Sequence, residues 1–140
     1  MVYTGQSLSK ETRKVVVVED DPTLQYMYKL KLEHQGFKVD TANDGQAGLK
    51  VIEQFRPDIV LLDLRMPVMN GDTMLARIRQ HDWASDIRVI VLTNISKNEA
   101  PQALRFLNVD RYIVKAHSTP AQVVEIIREV LGQPTAPTAH

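Results

Sequence analysis

Four short apolar blocks punctuate the chain, and each ends in a polar residue with chemistry of its own. Val15 to Val18 runs into Glu19, Asp20 and Asp21; Ile59 to Leu62 ends at Asp63; Val89 to Leu92 ends at Thr93; the shorter Ile113–Val114 pair delivers Lys115. A four-residue apolar block with β-branched bias is the pattern of a strand covered on both faces of a parallel sheet. The stretches between the blocks read as helices. Asp21 before Pro22 places Asp at an N-cap and Pro at the first helical position, and Gly36 ends that helix. Phe37 to Thr41 reads as a second strand. Gly48, Val51, Ile52 and Phe55 mark one face of a second helix, closed by Arg56 and Pro57. Arg65 to Gly71 carries Met-Pro and Asn-Gly turn signals, and Met74, Leu75 and Ile78 are the stripe of a short third helix. Ala100, Ala103, Leu104 and Leu107 predict a fourth helix, with Ser96 and Glu99 spaced as a capping box. Pro101 fits poorly in its first turn, so this helix is expected to start late or to fray. Thr119 and Pro120 open a fifth, with Val123, Ile127, Val130 and Leu131 on its inner face.

Strands alternating with helices predict an α/β fold: a doubly wound, five-stranded parallel sheet with five helices on its two faces and right-handed crossovers. The domain is expected over residues 14–131. Residues 1–13 are polar and aperiodic, a mobile lead-in, and residues 132–140 (GQPTAPTAH) read as a tail or linker stub.

Composition changes this picture little. The chain has 140 residues, enough for one domain, and is 44% apolar and 24% charged, as in globular proteins. Lys plus Arg and Asp plus Glu both number 17, so no polyanion partner is indicated, and no basic stretch resembles a nucleic-acid footprint. Nor is there room after residue 131 for a helix-turn-helix, so no direct nucleic-acid binding is expected. Cysteine is absent, which excludes thiol chemistry and thiolate metal sites. The apolar runs are too short to span a bilayer and no signal-peptide h-region is visible, so a cytoplasmic protein without membrane contact is expected. His34, His81, His117 and His140 are scattered and read as structural or surface groups.

The chemistry gathers at the strand ends. In open α/β sheets the ligand crevice lies at the carboxyl ends of the strands. Side by side, the blocks would bring Glu19, Asp20, Asp63, Thr93 and Lys115 to one edge. Asp21 is accounted for as a helix cap. Three carboxylates so close repel and raise one another's pKa unless a cation intervenes. Oxygen donors with no His or Cys nearby favour Mg²⁺. Asp63, between an apolar strand and an exposed loop, is placed to be a nucleophile toward phosphorus. The Lys115 ammonium would stabilise charge on a transferred phosphoryl group, and the Thr93 hydroxyl could hydrogen-bond it.

The strings VVVVEDDP, PDIVLLDLRMPVMNG, VIVLTN and RYIVKA, in this order, resemble the signature blocks of the receiver domain of two-component response regulators, nearly end to end over residues 14–131. The resemblance implies a flavodoxin-like, CheY-like (βα)5 fold with strand order 2-1-3-4-5. It implies that Asp63 is the phosphoacceptor, served by a sensor histidine kinase or a histidine phosphotransfer protein. Glu19, Asp20, Asp63 and the backbone carbonyl of Arg65 would hold Mg²⁺, Lys115 would contact the phosphoryl group, and Thr93 and Tyr112 would be the switch pair. Arg65 and Ile95 occupy the positions where the family tunes phosphoryl lifetime; a bulky cation and an apolar cover there point to a long-lived phospho-state. The 97–131 face would meet a downstream protein or output domain, and a phosphorylation-dependent homodimer is a further state the resemblance allows. The chain would be no enzyme beyond catalysing its own phosphorylation and dephosphorylation. Ala116 stands where the family usually has a cis proline; a non-proline cis bond costs ~3–4 kcal/mol, which favours a trans peptide here.

Other readings fit less well. An aspartyl-phosphate phosphatase wants an acid two residues after the nucleophile, where this chain has Arg65. A flavin-binding domain wants a phosphate-cradling loop after the first strand, where EDDP would repel phosphate. A protein-interaction module that keeps the fold without phosphorylation, or a receiver excised from a hybrid histidine kinase, remains an alternative.

Overall fold

In a computed structural model of the protein, residues 12–133 are described. The expected lead-in and tail lie outside the described residues except for residues 12, 13, 132 and 133. The strands β1 (Lys14–Val18), β2 (Lys38–Ala42), β3 (Ile59–Leu62), β4 (Arg88–Thr93) and β5 (Arg111–Val114) form one parallel sheet in the order β2-β1-β3-β4-β5. The α-helices among the described residues are α1 (Pro22–His34), α2 (Gly45–Phe55), α3 (Gly71–Ile78) and α4 (Pro120–Val130).

The apolar blocks become the central strands because the sheet is covered on both sides. Val16, Val18, Val60, Leu62, Val89 and Val91 pack with Ile52 of α2 and Met74, Leu75 and Ile78 of α3. Their alternating neighbours Val15, Val17, Ile59, Leu61, Ile90 and Leu92 pack with Tyr28 and Leu32 of α1 and Val123, Val124 and Ile127 of α4. This period-2 division is what a strand does when both faces are dry. Val17 and Val18 pair with Leu61 and Leu62, Leu62 pairs with Val91, and Thr93 with Val114. That register brings the strand ends to a common edge.

Two helices begin and end by the local chemistry their sequences advertise. The Asp21 side chain accepts the amides of Thr23 and Leu24, with Pro22 at the first position. Gly36, at φ 97, then donates to the Glu33 carbonyl while Phe37 donates to that of Leu32, a Schellman close. Phe37 is spent on that close, packed in the same cluster as Leu32, so β2 runs one residue later than the expected Phe37–Thr41. At α4, Thr119 and Gln122 form a full capping box. Gly132, at φ 72, and Gln133 close that helix in the same Schellman pattern, donating to Glu129 and Arg128.

The expected fourth helix of five does not form as an α-helix. Two 3₁₀ segments replace it, Lys97–Glu99 and Gln102–Phe106. The cause is Pro101: a residue before proline is pushed out of the helical region, and Ala100 is extended at φ −67, ψ 148. The five residues left after the break are far short of a self-supporting helix. The Ser96 capping box is likewise absent, since Ser96 donates to the Glu99 side chain instead of capping a backbone amide. Ala103 faces solvent, while Leu104 is buried. Arg79 fastens the end of this stretch, donating to the carbonyls of Leu107, Asn108 and Ala84.

Gly71, at the start of α3, lies against the Asp63 backbone: a Cβ here would overlap the Asp63 carbonyl oxygen and press on Leu62. The Gly71 amide also donates to the Leu64 carbonyl. Gly71→Ala is therefore expected to lower stability by roughly 1–3 kcal/mol through overpacking, read as a lower urea midpoint at unchanged m-value.

Candidate functional site

The sheet register delivers the expected residues to one place. Glu19 continues β1, Asp63 continues β3, Thr93 ends β4 and Lys115 follows β5. Among the described residues, Glu19, Asp63 and Thr93 are the buried polar or charged ones, at 4%, 6% and 1% exposure. Asp20 stays exposed. The Lys115 ammonium bridges the two buried acids, 2.9 Å from Glu19 Oε1 and 3.0 Å from Asp63 Oδ2. Glu19 Oε2 accepts the Asp21 amide at 3.0 Å. On the far side of Asp63, the Arg65 amide reaches toward Oδ1 at 3.4 Å. Lys115–His117 coils as a 3₁₀ turn, and the Lys115–Ala116 peptide is trans, as are all peptide bonds among the described residues.

Oxygen atoms of Glu19, Asp20 and Asp63 all lie within 4.8 Å of one another, a group able to hold a metal ion. Three carboxylates against one ammonium leave an excess of two negative charges, which a divalent cation matches. The donors are hard oxygens alone, the set that suits Mg²⁺, Ca²⁺ or Mn²⁺ rather than softer metals. Burial pushes the Glu19 carboxyl above its ordinary range, and the Asp63 charge adds to that; hydrogen bonds from Lys115 and the Asp21 amide pull the other way but do not win. Burial would lower the Lys115 ammonium, yet its hydrogen bonds to Glu19 and Asp63 outweigh this and raise it.

Thr93, Ile95 and Tyr112 form a chain away from the pocket. The Ile95 amide approaches Thr93 Oγ1 at 3.5 Å, a weak contact, and the Ile95 carbonyl accepts the Tyr112 hydroxyl at 2.7 Å. The Tyr112 ring is half-buried against the cluster beneath the 3₁₀ segments. Burial, then the charges of Asp63 and Glu99, raise the Tyr112 phenol. The Arg65 side chain is exposed and Ile95 half-buried beside Thr93.

Two supporting residues escape a reading by strand ends. Tyr28 is buried beneath Glu19, and burial together with the Glu19 charge pushes its phenol up to about 12. Gln25 donates to the carbonyls of Glu19 and Ala42 and to Asn43, tying the β1 and β2 ends together. Both sit on α1, where apolar residues spread over several sides mask which positions face the site.

Comparison with known proteins identifies the family and the fold. The family model for the response regulator receiver domain matches residues 15–128. The phosphate regulon transcriptional regulatory protein PhoB of Rhizobium meliloti is 31% identical over 115 residues, covering 81% of this chain and 50% of that protein. The DNA-binding response regulator MtrA of Mycolicibacterium smegmatis is 32% identical over 118 residues, covering 83% of this chain and 49% of its own length. The chain thus spans about half the length of these curated relatives. Among solved structures, a CheY-like response regulator receiver domain protein from Methanospirillum hungatei superposes with TM-score 0.79 at 25% identity, covering 87% of this chain and 95% of that one.

Removing the Lys115 ammonium leaves two buried acids facing each other. Lys115→Met is expected to cost roughly 2–4 kcal/mol at neutral pH without divalent cation, as breaking a buried ion pair does. The raised Glu19 pKa sets the sign: a carboxyl whose folded pKa is raised destabilises the fold once pH climbs above its unfolded value of 4.5. The deficit should therefore shrink as pH is lowered toward 4.5, read by urea midpoints of variant and wild type across that range.

Proposed function

From membership of the response regulator receiver domain family, to which this chain belongs across residues 15–128, we propose that Asp63 accepts a phosphoryl group and that the chain is a phosphorylation-driven switch. The observation that carries the proposal is the Lys115 ammonium held between Glu19 and Asp63, with Asp20 within metal-sharing distance. That arrangement suits an anionic phosphoryl group arriving at an anionic nucleophile. An Asp63 carboxylate oxygen attacks the phosphorus of a phosphohistidine; a P–O bond forms, the P–N bond breaks, and the imidazole leaves with its electron pair and takes up a proton. Glu19, Asp20, Asp63 and the Arg65 backbone carbonyl would hold the divalent cation, Mg²⁺ in our reading, which supplies charge neutralisation at the phosphoryl oxygens when bound. Lys115, already on Asp63 Oδ2, remains beside the new phosphoryl oxygens.

The switch reading rests on the weak Thr93 contact. A hydroxyl that gives up a 3.5 Å approach from the Ile95 amide loses little by turning to a phosphoryl oxygen. Ile95 is also the acceptor for Tyr112, so the same move disturbs the anchor of that ring and the 3₁₀ stretch above it. Phosphorylation then biases two packings of one region. We place the output on the 97–131 face, toward a protein partner or output domain, with a phosphorylation-dependent homodimer as one form of it. The donor is a histidine kinase or phosphotransfer protein in the cytoplasm, and the chain turns over no substrate other than its own phosphoryl group. The balanced charge supports our reading that residues 14–131 do not themselves bind nucleic acid. Among the described residues no helix is long and apolar enough to cross a membrane.

Arg65 and Ile95 flank the approach of water to Asp63, and we expect a slow loss of the phosphoryl group. Ile95→Glu should speed that loss several-fold in a single-turnover decay after donor removal; rapid wild-type decay, unchanged by the substitution, contradicts the assignment. The switch itself is tested by NMR of labelled protein with Mg²⁺ and beryllofluoride. Amides around residues 63–71, 93–97 and 111–117 should shift in wild type and stay in place in Asp63→Asn. A silent wild-type spectrum would overturn the proposal.

A further inference from the structure

At the opposite end of the sheet, where β1, β3 and β4 begin, a cleft of about 370 Å³ opens between segments that the phosphorylation chemistry does not use. Arg13, Arg56 and Arg88 line it together with Asp58, Asp86 and Trp83. Asp58 is committed to the fold, since its Oδ2 accepts the Lys14 amide at 2.8 Å. Arg88 is half-committed, with one nitrogen 3.3 Å from Asp110 and its side chain 53% exposed. The Arg13 carbonyl accepts the Lys38 amide, but the side chains of Arg13 and Asp86 have no hydrogen-bonding or ion-pair partner among the described residues.

Arg56 is the unusual member. It closes α2 in the left-handed region at φ 54, where Gly or Asn is the ordinary occupant. Its amide donates to the Ile52 carbonyl and its Nε to that of Glu53. The guanidinium carbon lies over the Trp83 indole, 3.8 Å from the ring centre. His81 stacks with the same indole, 5.4 Å between ring centres. A guanidinium plane with one face on an aromatic ring presents its other face as a stacking surface, and arginine planes stack on nucleobases.

We propose that this cleft binds a nucleoside monophosphate. The base stacks on the free face of Arg56, extending the layer already formed with Trp83. The phosphate is taken by Arg13 and the uncommitted nitrogens of Arg88, whose forked donors match its oxygens. Asp86 accepts hydrogen bonds from the ribose hydroxyls, the role a carboxylate plays in other nucleotide sites. The volume suits a ligand of that size and is far larger than a lone phosphate needs. The three parts of the ligand thus meet three different chemistries in one cleft, none shared with Asp63.

Trp83 is the chain's single tryptophan, so the test has a built-in reporter. Intact protein is titrated with AMP, adenosine, inorganic phosphate and sodium chloride at matched ionic strength, following Trp83 emission and amide NMR shifts. AMP should give a saturable emission change with shifts at residues 13, 56, 83, 86 and 88, and bind at least tenfold more tightly than adenosine or phosphate alone. Arg56→Gly removes the guanidinium while relieving the left-handed backbone, so the variant folds; it should weaken AMP binding tenfold or more, and Arg13→Gln several-fold. Asp63→Asn should bind AMP as wild type does, which keeps this test separate from the phosphorylation reading. No saturable AMP response, an equal response to phosphate or chloride, or shifts confined to the Asp63 pocket would each overturn the proposal.

Discussion

Everything at the working edge depends on one unbalanced charge cluster: two buried acids and one exposed acid served by a single ammonium. The parallel register forces the crowding, because the ends of β1 and β3 lie side by side and β5 brings Lys115 across to them. Such crowding is costly for a fold at rest, and burial holds Glu19 above its ordinary titration range. Crowded carboxylates with perturbed titration of this kind gather at functional sites. The sheet is thus a rigid frame that holds these crowded charges together at one edge.

From these acids a short path of contacts leads outward. Thr93 is buried and only weakly engaged, Ile95 is its neighbour two residues on, and Tyr112 is hydrogen-bonded to Ile95. Beyond them lies the one stretch where a regular helix is replaced by 3₁₀ turns. Short turns with few backbone hydrogen bonds belong to the low-stability end of a fold, and Arg79 holds their far end by three carbonyl contacts. A rigid edge beside a soft segment is a suitable arrangement for converting a local charge change into a change of surface.

Most of the frame was legible in the chain because the signals were local. VVVV before Glu19 and IVLL before Asp63 could be little other than strands dry on both faces, and Asp21-Pro22 and Thr119-Pro120 state their helix starts outright. The site was legible for the same reason, since strand ends in a parallel sheet share an edge. The fourth helix was not legible because its apolar spacing and the Ser96–Glu99 pair favour a helix, while the proline's effect on Ala100 overrides both. Tyr28 and Gln25 were hidden because α1 is apolar on several sides and only tertiary packing selects the face beneath Glu19. The Arg56–Trp83 layer could not be foreseen, because it depends on a left-handed backbone at a non-glycine residue and on a contact between segments far apart in the chain.

The central claim is that Asp63 is the nucleophile of a metal-assisted phosphoryl transfer. It is tested most directly by incubating the protein with a small phosphodonor such as acetyl phosphate, with and without Mg²⁺. Intact mass would then be read, and the modified residue located by borohydride reduction and peptide sequencing. The account predicts one added phosphoryl group, dependent on Mg²⁺ and located at Asp63. No adduct in the presence of Mg²⁺, or an adduct that persists in Asp63→Asn, would contradict it.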